Sequence, residues 1–254
     1  MRFDAPPIEG TLRARYKRFF ADVELPDGEV VTAHCPNTGS LIGCKEPGSA
    51  AWLRDSGDPD RKLRHTWQAI RVGDAWVNVD TSLPNRVVHE AVLAGEIPAL
   101  AGYAEARREV PYGTRSRIDL LLTHPDRPPC YVEVKSTTLA EGRIAFFPDA
   151  ATERGHKHLG ELREVVRSGG RAVQFFFVGR GDVDVFRPAD HIDPAYATTL
   201  RRVVDAGVEV MAWSARVEPG GLELLRELAL ELDGPRRLAP RKRRATGKRA
   251  GRLR

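Results

Sequence analysis

Asp119 is followed fourteen residues on by Glu133-Val134-Lys135. Two carboxylates beside an ammonium are the groups that hold a divalent ion and activate water for phosphodiester chemistry. The run Arg117-Ile118-Asp119-Leu120-Leu121-Leu122 reads as a half-buried strand, and Tyr131-Val132-Glu133-Val134-Lys135 alternates more cleanly. Pro125, Asp126, Arg127, Pro128 and Pro129 separate them, so a hairpin with a long, Pro-rich turn is expected. Side chains two apart on a strand share a face, which puts Glu133 and Lys135 together, roughly 7 Å apart, with Val132 and Val134 in a core. Asp119 joins them if Ile118, Leu120 and Leu122 take the apolar face of its strand. The expected cofactor is Mg²⁺ or Mn²⁺, held by Asp119, Glu133 and the Val134 carbonyl, with Lys135 placing the water or neutralising charge.

This arrangement resembles the PD-(D/E)xK nuclease superfamily, and the flanking elements follow its core order. Thr81 to Asn85 supplies cap-like residues, and Val87, Val88, Ala91 and Val92 recur at helical spacing up to Gly95. That helix carries Glu90, the candidate third acidic ligand. A strand near Arg107 to Val110 precedes the hairpin. Leu159, Leu162, Val165 and Val166 mark a second helix, stopped by Gly169-Gly170 and followed by the buried strand Ala172 to Val178. A helix around Ala195 to Ala206 and a strand from Val208 to Trp213 complete the series. Gly221 to Leu228 is helical by composition but alternates at Leu228, Leu230 and Leu232, which leaves helix and strand both open. The segment Thr152 to His158 starts a helix, where free N–H groups together with Arg154 or Lys157 can grip a phosphate. His156 and His158, two apart on a helix, do not face one metal.

At 254 residues with 41% apolar side chains, the chain suits a soluble globular protein of one or two domains. No apolar run approaches the ~20 residues of a membrane span. MRFDAPPIEG lacks an apolar signal region, and Cys35, Cys44 and Cys130 form neither an even disulfide set nor a zinc spacing. A cytoplasmic location with reduced thiols is expected. The formal charge of +5 hides an uneven distribution: residues 235–254 carry ten basic side chains and no acid, and subtracting these leaves −5 on the body. That tail reads as a disordered basic arm with a salt-dependent attraction to polyphosphate.

The N-terminal third is expected to form a small barrel of the oligonucleotide-binding (OB) type, from short strands and tight turns. Residues 11–35 read as two strands joined at Pro26-Asp27-Gly28, and Thr66 to Val72 with Ala75 to Val79 form a second hairpin around Gly73-Asp74. On the first strand Arg13, Arg15, Lys17 and Phe19 would share a face, offering cations and an aromatic platform to a nucleic acid. Between the hairpins, Pro36-Asn37-Thr38-Gly39 has turn chemistry able to hold an anion.

Four separated motifs in order resemble the sugar fermentation stimulation protein A family: His34-Cys35-Pro36-Asn37-Thr38-Gly39, Ser116-Arg117-Ile118-Asp119, Glu133 to Leu139, and Phe147-Pro148-Asp149-Ala150 through Arg154 to Leu159. The resemblance, running from about Arg15 to Trp213, implies an OB-like N-terminal domain, a nuclease-like C-terminal domain, and DNA binding linked to regulation of sugar metabolism. The fold class expected is therefore mixed α/β: an OB-like barrel (residues 1–80), an αβββαβ restriction-endonuclease-like domain with a mixed sheet (81–234) and the basic tail (235–254). The leading functional expectation is a DNA-binding protein that keeps a nuclease-type metal site, with single strands and RNA as other possible partners. An active Mg-dependent nuclease is the alternative, and an oligosaccharide or metabolite sensor ranks third.

Overall fold

The computed structural model describes residues 1–58, 60–113 and 116–233. Short alternating segments build the first unit: β1 (Ile8–Tyr16), β2 (Phe20–Glu24), β3 (Val30–His34), β4 (Ala50–Asp55), β5 (His65–Val72) and β6 (Ala75–Asn78). They lie in the order β3-β2-β1-β4-β5-β6, and a β3–β5 pairing at His34 and Thr66 closes the first five into a barrel. Leu12, Val23, Ala33, Leu53, Trp67 and Ile70 fill its interior.

One expectation here is corrected. The chain does not run straight from Leu12 to Val23; it reverses at Lys17 and Arg18, whose φ values are 48° and 64°, and Tyr16 then pairs with Phe20. Left-handed turn positions are normally marked by Gly or Asn. Lys-Arg carries no such mark, so the sequence hides the turn. Strand β4 also escaped notice, because Ala50–Asp55 is buried at three successive positions rather than alternating.

The second unit comprises α1 (Pro84–Leu93), β7 (Glu105–Tyr112), β8 (Ser116–His124), β9 (Arg127–Thr137), β10 (Ala140–Glu141), β11 (Ile144–Phe147), α2 (Glu153–Arg167), β12 (Arg171–Val178), β13 (Val185–Pro188), α3 (Pro194–Asp205), β14 (Glu209–Glu218), β15 (Gly221–Glu227) and β16 (Ala229–Leu230). Its main sheet runs β15-β14-β12-β9-β8-β7, with β9, β12 and β14 parallel and the outer pairings antiparallel. A small second sheet runs β10-β11-β13-β16. On one face of the main sheet, Val87, Val88 and Ala91 of α1 cover Leu120, Leu122, Val132 and Phe175. On the other, Leu159 and Leu162 of α2 and Leu200 of α3 cover Leu121, Phe176 and Val178. Burial on both faces explains why β12 reads as an unbroken apolar run.

The mixed α/β architecture, the OB barrel and the helix, three strands, helix, strand order are as expected. Gly221–Glu227 resolves as a strand, paired along β14. The β8–β9 turn is tight rather than long: Pro125 and Asp126 make it, and Pro128 and Pro129 lie inside β9. A register shift between Leu122 and His124 accommodates these prolines, which have no N–H for the ladder.

The units are locked together. Asn78 donates its N–H to Gly179 O (2.7 Å), Thr81 Oγ1 bonds Pro36 O (3.0 Å), and Leu41 N–H bonds Asp149 Oδ2 (2.9 Å). At the last joint, a Cβ on Gly39 would stand 2.8 Å from Asp149 Oδ1, so any larger residue would force the carboxylate to shift from its bond with Leu41. The first residues leave the barrel: Phe3 N–H bonds Gly220 O and the Met1 amine bonds Leu222 O. Among the described residues no helix is long and apolar enough to cross a membrane, and all three cysteines are buried thiols. The basic tail falls outside the described residues.

Candidate active site

Strands β8 and β9 pair from His124 back to Leu120 opposite Val132, and there the ladder stops. In that register Ile118 would face Val134. Instead Asp119 turns its side chain across the gap and accepts the Val134 N–H on Oδ2 at 2.7 Å, while Asn85 Nδ2, in the first turn of α1, bonds Oδ1 at 2.7 Å. Burial, and then the charge on Glu133, push the Asp119 carboxyl up to about 6 despite these donors.

Glu133 is 3% exposed. Its Oε1 receives Lys135 Nζ at 2.7 Å and His158 Nδ1 of α2 in a short contact. Arg154 Nε points at His158 Nε2 from 3.3 Å, and Lys135 Nζ stands 3.2 Å from His158 Nδ1, so the ring is held between Glu133 and two cations. Burial raises the Glu133 carboxyl, but His158 and Lys135 outweigh it and hold the group below the ordinary range. Its Oε2 is buried with no partner. The backbone beneath is fixed by Gln174 of β12, whose Nε2 bonds Glu133 O at 3.0 Å.

These groups open onto a cavity of about 500 Å³ lined by Glu109, Ser116, Arg117, Asp119, Glu133, Arg154, Lys157 and His158. Arg117, Arg154 and Lys157 thus join Lys135 around buried Glu133 and half-buried Asp119. Lys157 Nζ bonds Ser116 Oγ (3.2 Å), which donates to Glu161 Oε1 (2.7 Å). Helix α2 starts beside this wall. Its cap is Thr152, whose side chain accepts the Gly155 N–H. Glu109 lies opposite Asp119 in the β7–β8 register, between the Arg108–Leu120 and Val110–Ile118 pairs, and has a φ of 53°. A non-glycine residue held there in mid-strand is strained, and such strain gathers where a side chain must be re-aimed.

The sequence places Asp119, Glu133, Lys135, Arg154 and Lys157 at one site, and the fold brings these five together. It does not bring Glu90, which bonds Arg86 (2.8 Å) and faces the Met1 amine (3.2 Å) on another side of the helix. Positions 85 and 90 stand about 140° apart around α1, so only one can face the site, and that one is Asn85. Among the described residues no three His, Cys, Asp or Glu side chains form a ready-made metal cluster.

In the barrel, Arg13 pairs with Glu24. Arg15 donates to Asn37 O (2.9 Å) and Gly39 O (2.8 Å), bracing the loop that docks on Asp149. That loop has already spent the N–H groups of Gly39, on Asn37 Oδ1, and of Leu41. Lys17 and Phe19 sit in the β1–β2 turn, where Phe19 is 48% exposed. The four residues therefore do not form one strand face. Sequence reasoning missed Asn85, Glu109 and Arg117, and left the role of His158 open. His158 had a signal in its spacing: Lys157 and His158 follow Arg154 by three and four residues, the intervals that bring side chains onto one helix face with it. The strained backbone of Glu109 has no signature in residue type. His156 instead faces Asp193 at 3.5 Å, tying α2 to α3.

Two family models match the chain, the SfsA N-terminal OB domain over residues 14–79 and the sugar fermentation stimulation protein RE domain over residues 82–221. Similar proteins include the sugar fermentation stimulation protein homologues of Geotalea uraniireducens, 50% identical over 91% of this chain and 100% of the relative, and of Thioalkalivibrio sulfidiphilus, 54% identical over 91% and 98%. The solved structure of Pyrococcus furiosus SfsA in complex with Ca²⁺ superimposes with a TM-score of 0.83 at 28% identity, covering 91% of this chain and 98% of that one. Barrel, mixed sheet and ordered motifs thus agree with whole-length similarity, and the chain belongs to the sugar fermentation stimulation protein family.

Proposed function

We propose that this protein binds nucleic acid, DNA in the first place, and hydrolyses its phosphodiester bonds at a PD-(D/E)xK-type site dependent on Mg²⁺ or Mn²⁺. The observation that carries the reading is the buried Glu133 Oε2, without a partner, beside an Asp119 whose carboxyl is pushed up to about 6. An unsatisfied buried carboxylate oxygen costs about 1–3 kcal/mol, a cost that folding alone gives no reason to keep. Hard oxygen donors of this kind fit a divalent cation that retains several waters and takes one or two protein carboxylates together with substrate phosphate. Asp119 and Glu133 would hold it, with Glu109 at the cavity wall. Bound there, the cation supplies Lewis acidity and lowers the pKa of water. The chain itself does the rest: Arg117, Arg154 and Lys157 bind and orient the phosphate, and Lys135 fixes Glu133 and offsets developing negative charge. The Pyrococcus furiosus relative was solved in complex with Ca²⁺, which supports a divalent site. The β1–β2 turn, with Lys17, Arg18 and exposed Phe19, extends the nucleic-acid surface onto the barrel.

Titration of the full chain with Mn²⁺ by calorimetry tests the site directly. One Mn²⁺ per chain in the wild type, and none in Glu133→Gln, is the expected result. Equal binding by both proteins excludes Glu133 as a ligand.

A second reading, a DNA-binding regulator of sugar metabolism that does not cut, is favoured by Glu133 Oε1 being already taken by Lys135 and His158. It predicts oligonucleotide binding that is indifferent to Asp119→Asn.

A further inference from the structure

Next to the cavity, on the other side of the Ser116–Glu161 hydrogen bond, lies a second cavity of about 480 Å³ walled by Tyr112, Tyr131, Pro129, Val165, Gly170 and Glu161. Its size falls within the range of sites that enclose small organic groups. The two half-buried tyrosine rings have centroids 5.8 Å apart, tilted by 37°. Tyr112 pairs with Ser116 across β7 and β8, and Ser116 stands three residues from Asp119 on the same strand, roughly 10 Å at ~3.3 Å per residue. The walls of the two cavities differ in charge. Arg117, Arg154 and Lys157 line the first beside the carboxylates of Glu109, Asp119 and Glu133 and suit a phosphate, whereas the tyrosine cavity offers aromatic and apolar surface with Glu161 and Glu164 at its border and no lysine or arginine among its described walls.

We infer that the tyrosine cavity is a nucleobase subsite, taking the base of a nucleotide whose backbone phosphate occupies the Asp119–Glu133 cavity. The proposal rests on the nucleic-acid reading above and narrows it. A base enters such a pocket only when it is unpaired, so the substrate class is single-stranded nucleic acid or a frayed end, held by stacking that does not depend on sequence.

The test uses two probes of equal charge, a single-stranded DNA tetranucleotide and the same sugar-phosphate chain without bases, with binding to the full chain measured in Ca²⁺. The wild type should prefer the base-bearing probe by about tenfold. Tyr112→Leu and Tyr131→Leu should each erase most of that preference, and Tyr131→Phe should keep it. Melting curves confirm that each variant is folded. If both leucine variants fold and keep the preference, or the wild type binds both probes equally, the subsite is refuted while nucleic-acid binding stands. No binding of either probe overturns both readings.

Discussion

Asp119 Oδ2 accepts the Val134 N–H at 2.7 Å, so a side chain stands where an antiparallel ladder would place a carbonyl. The bond holds β8 and β9 apart at the one level where a cavity opens beside Glu133. It also sets half-buried Asp119 against a second carboxylate, and the raised carboxyl is a direct cost to folding. A shift from 3.8 to about 6 corresponds to roughly 3 kcal/mol at neutral pH.

Asp119→Asn should therefore not destabilise the protein above pH 6. Loss of the charge offsets a weakened bond to Asn85, and the expected change is between zero and about 2 kcal/mol of added stability. Urea unfolding at pH 7.5 measures it. A loss of more than about 2 kcal/mol would make Asp119 a structural strut rather than a functional carboxylate.

The same group sets a pH dependence. The folded state holds the Asp119 proton more tightly than the unfolded chain, so this contribution is fully present below pH 3.8 and is lost as pH rises through about 6. The stability difference between Asp119→Asn and wild type should grow in favour of the variant from pH 4 to pH 7, then level off. A difference independent of pH across that window would show that Asp119 titrates with an ordinary carboxyl pKa.

At Glu109 the usual strand preference should invert. With φ at 53°, Glu109→Gly should be more stable than Glu109→Ala by about 1 kcal/mol, although glycine ordinarily weakens a strand. Both variants should bind Mn²⁺ more weakly than wild type. Thermal melts in EDTA decide the first point and calorimetry the second. Equal stability of the two variants would remove the argument for a re-aimed side chain.

The joint between the units depends on a missing side chain. Gly39→Ala would bring a Cβ to 2.8 Å from Asp149 Oδ1, and we expect a cost of about 1–3 kcal/mol in thermal or urea unfolding. Mn²⁺ binding at Asp119 and Glu133 should survive in the folded fraction. An unchanged melting temperature would mean that the Asp149 contact with Leu41 yields without loss.

Much of this was legible in the sequence, for definite reasons. Val132 and Val134 flank Glu133 with a period of two, and Val87, Val88 and Ala91 recur with helical spacing, so the elements beside the site announce their faces. That reading brings Asp119, Glu133 and Lys135 together because strand alternation is local. Glu90 was misplaced because helix rotation relative to a sheet is a tertiary property: Asn85 faces the site only because of how α1 lies on Leu120 and Leu122. The basic strand in the barrel was misread because Lys17 and Arg18 adopt left-handed turns without the residues that usually mark them. Arg15 looked like a ligand-binding cation, but its partners are three carbonyls, those of Arg18 in the turn and of Asn37 and Gly39 more than twenty positions away.

Cleavage of labelled single- and double-stranded DNA by the full-length protein, in Mg²⁺, Mn²⁺ or EDTA and beside Asp119→Asn and Lys135→Met, tests the central claim most directly. The account predicts cutting that requires Mg²⁺ or Mn²⁺, stops in EDTA, and falls at least a hundredfold in both variants while they still bind DNA. DNA bound by the wild type but left intact with every metal, or cut equally well by Asp119→Asn, would contradict it.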